Sequence, residues 1–472
     1  MPLPAESPPL PITPTVGRRF GRVRRTPRPR IALGILAVFA GIALLTAGVV
    51  QTTGGLTGIV AIGPSPTSGS EASPSPSASG VPTPSPAASP SVTPPPQGSS
   101  GGPTPAERRA IALPVRLQAA LDRVRARLAV PGVSVTILFP DGTSWSGASG
   151  LADIATLTPV KPSTAFAFAS MSKTFTSALI LQLVAERRLR LTDSAVAFLP
   201  ALKKPIDRRI TIGMLLDHTS GLHDYFLNPK IDRPLQRDPS RAWTTDQTLA
   251  YTLKPYFPPG RGWHYSNTNY LLLGLIAERV TGQPLATAIR TRLLEPFQLP
   301  TIWYQGAETG RTSLAHGYRL PGVKLTAKPI DLADGSGIAP FRSVVTAAAG
   351  AGSLAGTSGD LARWARLLYS GEVLGPETTA LLFGGFSATA PYRPSVAYGY
   401  GVQAAVIDGH ASFGHSGRLL GFRGVVRHFP VDGLTVAVLT NQSRADPNVI
   451  VRELLAVAIP TAPACPICSI AR

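Results

Sequence analysis

Ser170-Met171-Ser172-Lys173 places a hydroxyl three residues ahead of an amine in this 472-residue chain. Positions three apart share a helix face, so the Lys173 amine can sit against the Ser170 oxygen and take its proton. Lysine is scarce here. Only eight of the 45 basic residues are Lys, at 161, 173, 203, 204, 230, 254, 324 and 328, and none of the other seven has a Ser three positions upstream. Arginine could not act as the base, because a guanidinium keeps its proton in proteins. Ser170 therefore reads as a nucleophile and Lys173 as its activating base.

A Ser-Lys pair needs further groups. A second proton shuttle must serve the leaving group, an amide dipole must position the substrate, and donors must hold the oxyanion. Tyr265-Ser266-Asn267 offers the first two: cationic Lys173 would stabilise the ionised phenol of Tyr265, and Asn267 can donate and accept at a substrate amide. Read alone, the same residues would be core packing and a helix cap. His415-Ser416-Gly417 falls on an expected strand and is followed by Arg418. The Arg418 backbone N–H can pair with that of Ser170, which lies at a helix N-terminus, where partial positive charge favours an anion. Gly417 would let a substrate backbone approach, and an extended peptide could add to this strand edge. On its own, His415 reads as a surface or turn histidine. His218 and His223, in DHTSGLHD, read as structural. A metal site would want tighter spacing and clustered carboxylates, so neither metal nor cofactor is expected.

The elements that must carry these residues are legible in outline. Helical spacing covers 114–128, and Val133–Phe139 reads as a strand turning at Asp141-Gly142 into a return over 143–147. Phe166–Ala169 is a short apolar strand running into Ser170, and 171–188 a helix with few polar positions. Thr244–Gln247 has a capping-box pattern. Asn267 can cap a helix ending before Gly282, Pro284 fits a first helical turn, and Thr357–Asp360 opens a helix through Tyr369. From 397 the pattern turns to strands, and a last helix covers about 447–458. Strands at both ends with helices between predict an α+β fold: one antiparallel sheet built from both termini of the domain, flanked by helices, with a mainly helical subdomain inserted over about 173–345.

Net charge is +19, but seven arginines (18, 19, 22, 24, 25, 28 and 30) cluster ahead of an apolar run. No basic stretch interleaves with aromatics as a nucleic-acid surface would. The run, Ile31 to Val50, is twenty uncharged residues, the length a helix needs to cross a bilayer, and longer than the apolar core of a cleaved signal peptide. Positive charge ahead of it would leave everything after Val50 outside the cytoplasm. The organisation expected is a basic cytoplasmic tail over 1–30, a single transmembrane anchor over 31–50, and a Pro/Ser-rich linker over 51–105 that cannot bury enough apolar surface to fold. A hydrolase domain over 106–460 and a tail over 461–472 follow. At about 3.1 Å per residue, some ~40 residues of such linker reach up to ~120 Å from the membrane. Cys465 and Cys468 form a CPIC in that tail, without the further ligands a zinc site needs.

Together these motifs resemble the serine β-lactamase and penicillin-binding protein superfamily, whose Ser-x-x-Lys, Tyr/Ser-x-Asn and Lys-Thr-Gly elements share this order. The tyrosine version resembles its class C β-lactamase-like branch, shared with DD-carboxypeptidases and esterases. Supporting phrases are FAFASMSKTFTSALI, ITIGMLLDHTSGL, PGRGWHYSNTNYLLLGLIAERVTG, AAGAGSLAGTSGDLARWARLL and FGHSGRLLGFRGVVRHFPVDGLTVAVLTN, spread over about 110–460. The resemblance implies acylation of Ser170, proton shuttling by Lys173 and Tyr265, an acyl amide oriented by Asn267, and His415 and Ser416 facing the substrate's other end. Its third motif departs here, with His415 for Lys and Ser416 for Thr, a pairing closer to exported DD-carboxypeptidases. The expected activity is a membrane-tethered, extracytoplasmic peptidase on D-amino-acid or cell-wall peptides. A β-lactamase or esterase using the same machinery is the alternative, and a non-catalytic β-lactam sensor is a third reading. The substrate is expected to be a small molecule or peptide, with no nucleic-acid partner.

Overall fold

The computed structural model describes residues 105–202, 205–321, 328–389 and 396–459. The basic tail, the Ile31–Val50 run, the linker up to residue 104 and the CPIC tail lie outside them. Among the described residues, no helix is long and apolar enough to cross a membrane.

Nine strands form the main sheet: β1 Gly132–Leu138, β2 Ser144–Asp153, β3 Thr158–Pro159, β4 Ser387–Ala388, β5 Val396–Tyr398, β6 Gln403–Ile407, β7 His410–Leu419, β8 Phe422–Phe429 and β9 Leu434–Thr440. Their spatial order is β3-β2-β1-β9-β8-β7-β6-β5-β4. The two ends of the domain meet at its centre, where β1 and β9 pair antiparallel with Val133 opposite Thr440 and Leu138 opposite Thr435. β9 reads LTVAVLT and is buried throughout, as a strand covered on both faces must be.

Helices supply both covers. Terminal helices α1 (Pro105–Arg127) and α5 (Pro447–Ala458) bury Leu117, Leu121, Val124, Ile450, Val451 and Leu454 against Val133, Val135, Val436 and Val438 on one face. The other face carries the larger core, built on α2 (Lys173–Ala185), α3 (Asn267–Thr281) and α4 (Ser358–Tyr369). α2 is buried from Lys173 to Leu181 without a solvent stripe, which marks a central helix. Trp364 of α4 fixes it there, stacking on Phe175 at 4.0 Å between ring centres and donating from Nε1 to Thr174 Oγ1 at 2.9 Å.

Three expectations need correcting. The strand leading into the nucleophile is only Phe166–Ala167, and it pairs with Leu354–Gly356 in a separate three-stranded sheet completed by Trp303–Tyr304. Next comes a tight 3₁₀ turn, Ala169–Ser172, before α2 begins at Lys173. Asn267 is the first residue of α3 and does not cap it. Ser266 is the N-cap, and α3 ends at Gly282 in the left-handed region, φ 73°. Elsewhere the capping box at Thr244 and Gln247 and the Thr357 cap of α4 sit where the pattern puts them.

Trp364→Ala should remove about 3–5 kcal/mol of stability, the usual cost of truncating a buried aromatic. Chemical denaturation monitored by circular dichroism measures this; a loss below about 1 kcal/mol would show that α4 does not brace α2.

Candidate active site

Ser170 stands half-buried at the mouth of α2, after Ala169, whose φ of 50° is the left-handed conformation L-residues avoid. That kink turns the chain from strand to helix within one residue. One turn deeper lies Lys173, with no solvent exposure. Its Nζ has three partners: Ser170 Oγ at 3.0 Å, Asn267 Oδ1 at 2.7 Å and the Ala351 carbonyl at 2.8 Å. Two of these, an amide oxygen and a peptide carbonyl, can only accept. A neutral amine has two N–H groups and one lone pair. The two hydrogens go to the two obligate acceptors, and the lone pair is left facing the serine hydroxyl. Burial pulls the Lys173 pKa down to about 7, against an opposing pull from the carboxylate of Asp224. At neutral pH much of this lysine is therefore the free amine that a base must be.

Two non-local segments deliver the partners other than Ser170. Asn267 comes from the start of α3, and its Nδ2 donates to Asp224 at 3.0 and 3.3 Å. Both ends of that amide are thus engaged within the protein, whereas the sequence reading offers it whole to a substrate. Ala351 belongs to a 3₁₀ turn, Ala349–Ala351, braced where Thr176 donates to the Gly350 carbonyl at 2.7 Å. Tyr265 packs its ring centre 5.0 Å from Lys173 Nζ, so its ring borders the amine.

His218 lies at the site although its sequence context suggests a scaffold role. Fully buried, its ring sits 4.4 Å from the Tyr265 ring centre. Its Nδ1 accepts from Ser266 N at 3.3 Å and from Asn269 Nδ2 at 3.0 Å. Burial first, then the nearby Lys173 charge, hold its pKa well below the ordinary histidine value. It is a neutral wall behind Tyr265. His223 stacks on Tyr256, which also stacks on His264 at 3.8 Å.

β7 closes the other side. An added Cβ on Gly417 would lie 2.2 Å from the Phe168 carbonyl oxygen. The glycine is needed so that the strand can press against the 168–170 segment, in addition to any role beside a substrate. β6 pairs with β7 only through Gly414, so 415–419 run past the end of β6. Ser416 N donates to Gln403 Oε1 at 3.1 Å, and peptide N–H directions alternate along a strand. The Arg418 N–H therefore points to the same edge as that of Ser416, beside Ser170.

His415 is buried, 1% exposed, with Nδ1 donating to the Ser416 carbonyl at 2.6 Å and Nε2 accepting from the Tyr398 hydroxyl at 2.9 Å. Its ring lies on the Gly417 face of β7, 6.4 Å from the Tyr265 ring centre. Ser416 is half-buried and Arg418 exposed; being two apart, they project from one face of the strand, opposite to the face on which Gly417 meets the nucleophile turn.

Sequence reasoning missed Asp224, Ala351, Tyr398 and Gln403. Asp224 carries a signal in retrospect: a lone acid inside the otherwise apolar and aromatic LHDYF invites the question of what it pairs with. A backbone carbonyl such as Ala351 leaves no trace in residue type. Asp153, His316 and Asp331 also converge, with ligand atoms within 4.8 Å of one another, but His316 Nδ1 already donates to Asp331 at 2.8 Å.

Comparison with known proteins agrees with this geometry. The family model described as Beta-lactamase matches residues 117–459. Penicillin-binding protein 4 of Amycolatopsis lactamdurans is 29% identical over 69% of this chain and 84% of its own length. Esterase EstB of Burkholderia gladioli is 29% identical over 72% of this chain and 93% of its own. Among solved structures, a D-stereospecific amidohydrolase from Streptomyces superposes with TM-score 0.63 at 26% identity, over 74% of this chain and 99% of that one.

Two outcomes follow from the geometry around Lys173. Lys173→Met should abolish acylation by a fluorophosphonate probe while the circular dichroism spectrum is unchanged; retained labelling would remove lysine as the base. In the intact protein only the unprotonated amine can accept the serine proton. The labelling rate should therefore rise with pH through about 7, where the amine loses its charge, and level off above. A rate flat from about pH 5 to pH 9 would contradict a base that titrates near neutrality.

Proposed function

The chain belongs to the beta-lactamase family of serine hydrolases, and from that premise we propose that it cleaves amide bonds in D-amino-acid peptides through an acyl-enzyme on Ser170. One observation carries the reading: Lys173 Nζ lies 3.0 Å from Ser170 Oγ while the obligate acceptors Asn267 Oδ1 and the Ala351 carbonyl sit at 2.7 and 2.8 Å, an arrangement that leaves a neutral amine's lone pair for the serine.

The steps follow from the placement of groups. Lys173 takes the proton as Ser170 Oγ attacks the carbonyl carbon. The developing oxyanion lies between the N–H groups of Ser170 and Arg418, donors fixed before reaction. Tyr265 and Lys173 return a proton to the leaving nitrogen, the ester forms on Ser170, and water then hydrolyses it. Asn267 contributes its remaining N–H to the acyl side, and Ser416 lies along the strand edge where an extended substrate would run.

Kinship with a penicillin-binding protein over 84% of its length supports a D-alanyl-D-alanine carboxypeptidase-like peptidase within the family, with His415 and Gly417 on the face of β7 turned to the nucleophile. Kinship with an esterase over 93% of its length favours ester turnover by the same residues as the second reading. The charged residues ahead of Ile31–Val50 support an anchored enzyme held outside the cytoplasm by its Pro/Ser-rich linker.

A panel of D-Ala-D-Ala stem-peptide mimics, their amides, simple esters and penicillins tests this directly. D-alanine release should exceed turnover of the others, with label from a β-lactam confined to the peptide holding Ser170. Rapid ester or penicillin hydrolysis without D-alanine release would overturn the peptidase reading.

A further inference from the structure

Asp224 is 4% exposed and reached from the reacting serine through three consecutive hydrogen bonds. Ser170 Oγ meets Lys173 Nζ at 3.0 Å, Nζ meets Asn267 Oδ1 at 2.7 Å, and Asn267 Nδ2 meets Asp224 Oδ2 at 3.0 Å. The carboxylate is itself held: Oδ1 accepts from Phe226 N at 3.0 Å, and the Asp224 N–H donates to the Tyr256 hydroxyl at 3.3 Å.

We propose that Asp224 is a positioning residue that sets which end of the Asn267 amide meets Lys173, and so aims the lysine lone pair at Ser170. The proposal rests on reading Ser170 and Lys173 as nucleophile and base. An ionised carboxylate has no proton to give. Asn267 must therefore turn its Nδ2 toward Asp224, which leaves Oδ1 as the acceptor facing the amine. With the amide reversed, Nδ2 would point at Nζ, the lone pair would be spent on Asn267, and the serine would lose its base. The other groups around this line cannot do the same work. Tyr265 and Tyr270 present ring faces to Nζ at 5.0 and 5.4 Å. His218 is neutral, His415 is bonded to Tyr398, and Asp217 bears on Tyr270 from farther out. Tyr225 and Tyr256 adjoin Asp224 with phenols, which are not charged at neutral pH. Burial raises the Asp224 pKa to about 6, so acid converts it to a group that can donate, and the amide's direction is then no longer enforced.

The test is an exchange. In Asp224→Asn the Oδ1 still caps the Phe226 turn and keeps only the longer 3.3 Å contact with Asn267 Nδ2, while the new Nδ2 confronts that group in place of the 3.0 Å bond, and the cheapest remedy is to flip Asn267. Fluorophosphonate labelling of the purified full chain should then slow about a hundredfold, with an unchanged unfolding transition. Combining Asp224→Asn with Asn267→Asp restores an acceptor facing Lys173 and should recover at least about tenfold of that loss. The acid limb of its pH–rate profile should move up by about one unit or more, because a carboxylate now adjoins the amine. Labelling of Asp224→Asn within about twofold of the parent, or a folded double variant no faster than Asp224→Asn, would overturn the proposal. Should the double variant fail to fold, the rate of Asp224→Asn decides alone. Ser170→Ala and Lys173→Met run alongside: probe incorporated into either would fault the nucleophile–base reading, whereas silence in both with an unaffected Asp224→Asn faults only the role given to Asp224.

Discussion

A lysine amine without solvent exposure is the constraint around which this domain is organised. Moving an ammonium out of water is costly unless it is paired or neutralised. Here both remedies operate: the amine's affinity for protons falls, and a buried carboxylate stands one amide away. The arrangement is poised, because each ionisation state leaves every polar atom on the Ser170–Lys173–Asn267–Asp224 line with a partner. A fully charged amine would give all three hydrogens, and a neutral one keeps a lone pair for the serine.

The fold's topology meets this demand by bringing distant segments to one point. Lys173 lies at the head of a helix with no solvent face, Asn267 starts another, and Ala351 ends a turn between two elements of the second core. β7 belongs to the sheet that joins the two ends of the domain. Gly417 and the left-handed Ala169 let β7 and the nucleophile turn touch; a side chain at 417 would wedge them apart. Positive φ at a non-glycine costs on the order of 1 kcal/mol or more, a local strain offset by the packing of Phe168, Met171 and Phe175 beneath it.

Much of this was legible in the residues. The Ser170–Lys173 spacing follows from helical periodicity, and the strands from 397 onward follow from alternation and turn residues. Tyr265 and Asn267 could be placed only by motif order, since nothing local says that α3 begins beside α2. What the sequence hid has a common physical character. Asn267 was expected to cap a helix because asparagine does so often, but its amide is used more strongly by Lys173 and Asp224. His415 read alone as a surface or turn histidine, yet it is buried, with Tyr398 and the Ser416 carbonyl partnering its two nitrogens. His218 was set aside as scaffold because its role depends on stacking with Tyr265, forty-seven residues away along the chain. Pairings of this kind are written in three dimensions only.

The state of the amine can be observed without any substrate. In protein carrying ¹³C-labelled lysine, the side-chain methylene resonance of Lys173 is identified among eight lysines by its disappearance in Lys173→Met, and its shift is followed with pH. The account predicts a midpoint near 7, well apart from the remaining lysines near their ordinary value of about 10.4. A Lys173 resonance that titrates together with the others would contradict it.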